Sequence, residues 1–97
     1  MKPFRLLSIA EQELKDSAQF YDQEKPALGD RLLDDFHALM ERLGRYPESA
    51  PLISKRLRIA RLSDFPYNVV YKAGSRVILV VAVGHQSRRP GYWKGRI

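Results

Sequence analysis

Arginine and aromatic side chains are concentrated in the last ten residues of this chain. Arginine guanidinium groups bind phosphates through paired hydrogen bonds, and aromatic rings stack on nucleic-acid bases. Trp, Tyr and Arg also dominate the hot spots of protein–protein interfaces. The tail therefore predicts a binding surface, for nucleic acid or for a protein. Its members are Arg88, Arg89, Tyr92, Trp93, Lys94 and Arg96.

Further candidates lie upstream of the tail. Arg56, Arg58 and Arg61 fall on one predicted strand, and His85 follows the glycine that ends the last predicted strand. The imidazole of His85 could be satisfied locally, contact a partner or act as a general acid or base. With two histidines and no cysteine, the chain offers no convincing metal site. No Gly-rich loop precedes a helix, so we also expect no nucleotide and no other cofactor.

The charge of the chain is divided unevenly between its halves. Residues 1–48 carry 7 basic and 10 acidic residues, whereas residues 49–97 carry 10 basic residues and 1 acidic residue, Asp64. The C-terminal half therefore has a net charge of +9 within a total of +6. Such a field attracts anionic partners, either nucleic acid or an acidic protein segment.

Two N-terminal segments have the apolar periodicity of amphipathic helices. The first starts near Ser8, which together with Glu11 has the spacing of a capping box. The second covers residues 28–43, and Gly44 followed by two prolines predicts its end. The short connection between the two segments predicts an antiparallel helical hairpin.

The remaining segments have the composition of strands. They are rich in β-branched residues or alternate between apolar and polar side chains. Together they predict an α+β fold of order β-α-α-β-β-β, an antiparallel sheet of about four strands with the helical hairpin on one face. The predicted strands cover residues 4–7, 56–61, 67–72 and 76–83.

The length of 97 residues predicts a single domain, residues 1–97, with one hydrophobic core. The longest apolar run, Val77 to Val83, is too short to cross a bilayer. The N-terminus has no cleavage-site pattern of a signal peptide. We therefore expect a cytoplasmic protein without a membrane partner.

The order of several short motifs resembles the RelE/ParE superfamily of bacterial toxins. The most specific of them are Phe65-Pro66-Tyr67 and, further on, His85-x-x-Arg88-x-Pro90-x-Tyr92-Trp93. The resemblance covers almost the whole chain and implies the toxin of a type II toxin–antitoxin system, with growth inhibition and plasmid stabilisation as its effects. It also implies a cognate antitoxin whose extended C-terminal segment wraps the toxin. An acidic segment would suit the basic half of this chain.

The superfamily contains two activities. Ribosome-dependent mRNA endoribonucleases resemble this chain at Tyr92 and Arg61, but they usually carry arginines where this chain has Asn68 and Gln86. Cleavage at a 2′-hydroxyl requires a base, an acid and cations on the phosphate, so the missing arginines argue against it. We therefore favour the ParE-like branch, which inhibits DNA gyrase without catalysing a reaction.

Three interpretations follow for the site residues. A gyrase inhibitor would use the partner-binding set Arg56, Arg58, Arg61, Arg88, Arg89, Tyr92, Trp93 and Arg96. An endoribonuclease acting on the ribosome with mRNA would use Arg61, His85, Arg88 and Tyr92 as catalytic residues. The third interpretation is a nucleic-acid-binding or interaction module without toxicity. Because Arg88 lies past the last strand, we expect its removal to cost the fold little.

Overall fold

A helical hairpin covers one face of a four-stranded sheet in the computed structural model, which describes all 97 residues. The predicted α+β class and the element order are confirmed. Neither helix is long and apolar enough to span a membrane. The elements are β1 (Phe4–Leu6), α1 (Ser8–Glu24), α2 (Leu28–Arg45), β2 (Leu57–Arg61), β3 (Tyr67–Ala73) and β4 (Ile78–His85).

The two helices form the predicted hairpin, but the capping box at Ser8 does not form. Helix α1 begins at Ser8 itself, so Leu7 occupies the N-cap position and no side chain caps the helix. The backbone N–H of Leu7 instead donates to Val80 O at 3.0 Å. This hydrogen bond holds Leu7 in an extended conformation beside β4. Because the helix then starts at Ser8, the side chain of Ser8 is not at the N-cap position.

A close approach at Gly29 joins the helices. Its N–H donates to Asp22 Oδ1 at 2.7 Å. A Cβ at this position would overlap the backbone carbonyl oxygen of Ala18, so only glycine allows this contact.

The core lies between the helical hairpin and the sheet. Leu32, Phe36 and Leu43 on α2 are almost fully buried, as expected from the apolar stripe of that helix. On β3, the buried Tyr71 donates its hydroxyl to Pro47 O at 2.7 Å. This bond attaches the chain that leaves α2 to the centre of the sheet.

The sheet is mixed, with strand order β1-β4-β3-β2, and in this respect the prediction of an antiparallel sheet is wrong for one strand. Strand β1 pairs with β4 in parallel, with Phe4 opposite Ile78. The reason is the path of the helices. Helix α1 starts one residue after β1, and α2 returns the chain to the start of β1, where Lys2 N–H donates to Gly44 O at 2.9 Å. Strand β2 therefore starts at the end of the sheet where β1 starts and runs in the same direction as β1. Strand β3 runs in the opposite direction, so β4 again runs parallel to β1.

Candidate functional site

The C-terminal tail, residues 86–97, packs on the face of the sheet opposite the helices. A small apolar cluster of Val70, Val81 and Ala82 is buried there, and Tyr92 and Trp93 of the tail pack against it. Trp93 therefore packs back onto the domain. The tail contains the aromatic and arginine residues that predicted a binding surface, so this face of the sheet carries the candidate site.

The carboxylate of Glu13 on α1 attaches this tail to the helices. Arg96 donates to both of its oxygens, at 2.8 and 2.9 Å, and Arg88 forms a second ion pair with it. The N–H of Val83 on β4 also donates to Glu13, at 3.1 Å. Burial opposes ionisation of this side chain, but the hydrogen bonds from Arg96, Val83 and Arg88 outweigh burial and lower the pKa of Glu13. Glu13 is therefore charged at neutral pH.

Glu13 and Arg96 together form hydrogen bonds with backbone groups of β4 that lie beyond the end of β1. Strand β1 ends opposite Val80, and the backbone beyond that point has no neighbouring strand on this side. Arg96 donates to Val81 O at 3.0 Å, while Glu13 accepts from Val83 N–H. The side-chain pair therefore supplies the hydrogen bonds that a longer β1 would have made, as buried backbone groups require.

Tyr92 lies at the centre of the tail. The guanidinium carbon of Arg88 lies 3.9 Å from the centroid of its ring, and that of Arg96 lies 5.3 Å away. The phenol oxygen is buried without a hydrogen-bond partner and lies against Gly84, where a Cβ would overlap it. Burial, aided by the charge of Glu13, raises the pKa of Tyr92 above its ordinary value. Tyr92 is therefore protonated at neutral pH.

A cavity of about 120 Å³ lies beside Tyr92 on the same face. Asn68 and Gln86 line it, and Arg61 donates to Gln86 Oε1 at 2.9 Å. The amide oxygen of Asn68 is buried and has no hydrogen-bond partner. At the rim, His85 Nδ1 accepts from the N–H of Ser87 at 3.0 Å. The cavity is thus lined by two neutral amides, those of Asn68 and Gln86.

The structure brings some of the predicted site residues together and separates others. Arg61, His85, Arg88, Tyr92 and Trp93 lie on or near the cavity. Arg58 points to the opposite face of the sheet, because residues an odd number of positions apart on a strand alternate in direction.

The remaining predicted cations have separate environments. The guanidinium group of Arg58 donates to Ala50 O at 2.8 Å and to Glu48 O at 3.1 Å. Arg56 precedes β2, and both Arg56 and Arg89 are exposed. Arg96 is largely buried in its ion pair with Glu13, which makes it a structural residue of the tail.

Two features of the site were not predicted. The contacts of Arg88 with Glu13 and with the ring of Tyr92 were not predicted, and whether its removal costs the fold little stays a prediction. The sequence also did not predict that Glu13 joins the tail to α1. Its only local signal is its place at the edge of the apolar stripe of α1, three residues after the buried Ala10 and next to the buried Leu14.

Comparisons with known proteins agree with this architecture. The family described as "ParE toxin of type II toxin-antitoxin system, parDE" matches residues 4–90. No curated protein matches the chain significantly. Among solved structures, the "Chromosomal ParDE TA system from P. aeruginosa" is similar, with a TM-score of 0.74 and 15% sequence identity over 88% of this chain and 96% of that one. At this identity the likeness supports the fold.

The family match covers both helices and all four strands, together with the tail as far as Pro90. It confirms the resemblance inferred from the sequence motifs. Toxins of type II toxin–antitoxin systems have a cognate antitoxin as their partner. The chain belongs to the ParE toxin family and is the toxin component of a type II toxin–antitoxin system.

Proposed function

We propose that this toxin acts in the cytoplasm by binding DNA gyrase and inhibiting it without catalysing a reaction. The observation that carries the proposal is the composition of the cavity beside Tyr92. Asn68 and Gln86 are neutral, and Arg88 shares the carboxylate of Glu13 with Arg96. Cleavage of RNA requires cations that stabilise the charge on the phosphate, and the one arginine or lysine that lines this cavity, Arg88, is held in an ion pair with Glu13.

The environment of Tyr92 supports the same proposal. A general base at neutral pH must lose its proton near that pH. Burial raises the pKa of Tyr92, which makes its phenolate less available as a base at neutral pH. Its hydroxyl is also enclosed against Gly84. A binding surface needs neither an acid nor a base, whereas the aromatic and arginine side chains of the tail suit a protein interface.

A second candidate function is ribosome-dependent cleavage of mRNA. The positions of four side chains favour this activity. Around one cavity lie the candidates Arg61, His85, Arg88 and Tyr92, as catalysis would require. In this case Arg61 and Arg88 would have to replace the two cations that Asn68 and Gln86 do not supply.

Toxicity is tested by induced expression in a bacterial host. We expect growth to stop and to resume when the antitoxin encoded by the neighbouring gene is co-expressed. The proposed mode of neutralisation is wrapping by an acidic, extended segment of that antitoxin. Normal growth with abundant folded toxin would contradict both toxic activities and would favour a non-toxic binding module.

The target is tested with purified toxin in two parallel assays. We expect loss of DNA supercoiling by gyrase, or accumulation of gyrase-cleaved DNA, at toxin concentrations near that of gyrase, because an inhibitor acts by occupancy. Translating ribosomes should retain intact mRNA at the same concentrations. Addition of antitoxin to the gyrase assay provides the control. Codon-positioned mRNA cuts at substoichiometric toxin would overturn the proposal in favour of the endoribonuclease.

A further inference from the structure

A basic groove lies between the loop before β2 and the end of the tail. It has a volume of about 380 Å³ and is formed by residues 53–57, 93–95 and 97. Trp93 lines this groove and also the cavity at Tyr92, so the groove lies next to the candidate site. The groove contains both cations and apolar side chains, which are Lys55, Arg56 and Lys94 and, among the apolar ones, Ile53, Leu57, Trp93 and Ile97.

The three cations of this groove are exposed and have no acidic partner within the chain. The four ion pairs of the structure engage other cations, Lys15, Arg45, Arg88 and Arg96. The groove also lies wholly within the half of the chain that has a net charge of +9. Lysine and arginine side chains of this kind bind nucleic-acid phosphates and release the counterions of the backbone. The groove therefore offers three positions for phosphate groups.

The apolar part of the groove favours a single strand over a duplex. Ile53 and Ile97 are 38% and 51% exposed, and the partly exposed Trp93 lies in the same groove. A duplex presents only its backbone and the edges of its bases to a protein, so it would leave these side chains uncovered. The bases of a single strand are free to stack on an aromatic ring beside a basic groove. A single strand therefore matches both the charge and the apolar surface.

Hydrogen bonds hold both walls of the groove in place. In the first wall, Ile53 N–H donates to Leu57 O at 2.8 Å, and Leu57 N–H donates to Ser54 Oγ at 3.1 Å. In the second wall, the ion pair of Arg96 with Glu13 fixes the end of the tail. A ligand therefore binds without first ordering the loop or the tail, which lowers the entropic cost of association.

We propose that this groove binds single-stranded DNA, with phosphates at Lys55, Arg56 and Lys94 and with bases against Trp93 and the two isoleucines. The inference rests on the proposed function, because gyrase cleaves DNA and a toxin bound to gyrase would meet the strand ends that cleavage exposes. It adds to that function a direct contact between the toxin and the DNA.

The experiment titrates full-length toxin into a fluorescein-labelled oligothymidylate and follows the anisotropy at several salt concentrations. The logarithm of the affinity should fall linearly with the logarithm of the salt concentration, with a slope of about −2 for three phosphate contacts. Duplex DNA of the same length should bind at least about tenfold more weakly, since its bases are not free to stack on Trp93. Trp93 is the only tryptophan of the toxin, so quenching of its emission reports the stacking directly.

Two double variants locate the phosphate contacts. Lys55→Gln with Lys94→Gln removes two of the three cations of the groove, so the salt slope should shrink to about −0.7. Lys25→Gln with Arg31→Gln makes the same change in charge at exposed positions of the helical hairpin and should keep the slope of the wild type. Circular dichroism and melting curves verify that both variants fold.

Two single variants test the stacking of bases on Trp93. Trp93→Leu removes the aromatic ring and should weaken binding of the oligothymidylate by about tenfold or more. Trp93→Phe keeps a ring and should retain most of the affinity. The salt slope should be the same in both, because neither substitution changes a phosphate contact.

Equal salt slopes in the two double variants would assign the binding to net charge and overturn the proposed site. Undiminished affinity of a folded Trp93→Leu variant would overturn it as well, and so would equal or tighter binding of duplex DNA. Tighter binding of an oligouridylate would assign the groove to RNA instead. The titration contains no gyrase, so its failure leaves gyrase as the proposed target. A toxin that binds single strands but does not inhibit gyrase would refute the proposed function alone.

Discussion

The helix-covered face of the sheet belongs to a core cluster of 17 buried residues, whereas the opposite face buries only Val70, Val81 and Ala82 beneath the tail. The first face is stabilised almost entirely by apolar contacts. The second face keeps its cover through Glu13, whose carboxylate receives bonds from Arg88, Arg96 and Val83. Apolar burial does not depend on the protonation of a side chain, whereas an ion pair is lost when its carboxylate is protonated. The candidate site of this toxin therefore lies on the more easily perturbed side of the sheet.

The largest difference between the two faces is expected in their response to truncation. Phe36 is 1% exposed in the core, so Phe36→Ala should lower the free energy of unfolding by about 4 kcal/mol. Trp93 is only partly buried, so Trp93→Ala should lower the free energy of unfolding by clearly less than Phe36→Ala, although it removes a larger side chain. Chemical denaturation measures both. Equal losses would show that the tail belongs to the main core.

Removal of the Glu13 charge tests whether one carboxylate holds the tail. Glu13→Gln leaves the largely buried Arg96 without its counter-ion, which should cost about 3 kcal/mol. It should also make the tail susceptible to trypsin at Lys94, while the helical hairpin stays resistant. The double variant Glu13→Gln, Arg96→Gln should lose less than the sum of the two single variants, because the buried charge is then gone. Strict additivity would contradict the ion pair.

The same carboxylate makes the second face dependent on pH. Because the folded state lowers the pKa of Glu13 below its ordinary value of 4.5, its contribution is complete above that pH. The contribution is lost as the pH falls through the lowered pKa of the folded protein. The stability difference between wild type and Glu13→Gln should therefore be constant near neutral pH and shrink in acid. Melting curves of both proteins between neutral pH and about pH 3 measure it, and a constant difference would argue against this role.

A smaller effect is expected at Arg88, the more exposed partner of Glu13. Its side chain is 44% exposed, so the ion pair and the contact with the ring of Tyr92 should together contribute about 1 kcal/mol. Arg89 is the matched control, because it is the adjacent arginine, is exposed and has no ion pair. Arg89→Ala should change stability by less than about 0.5 kcal/mol. Equal effects of the two substitutions, measured by denaturation, would remove Arg88 from the set that holds the tail.

Local patterns were enough to predict the elements of the fold. The stripe that contains Leu32, Phe36 and Leu43 predicted α2, and the apolar run from Val77 to Val83 predicted the central strand β4. The separation of Arg58 from Arg61 also follows from the two-residue period of a strand. The capping box at Ser8 failed as a prediction because the hydrogen bond from Leu7 to Val80 holds the preceding residue on the sheet.

The sequence by itself determined the class, the order of elements, the toxin family and the concentration of positive charge in the C-terminal half. These properties depend on residue types and on short periodicities, so they are readable along the chain. Only the tertiary structure decided the parallel pairing of β1 and the role of Glu13. The hydrogen bond that Arg96 donates to Glu13 joins residues 83 positions apart, and no local pattern encodes which acidic side chain meets which arginine. That choice arises because α1 follows the direction of β4 and places Glu13 beside the unpaired edge of that strand, where the returning tail brings Arg96.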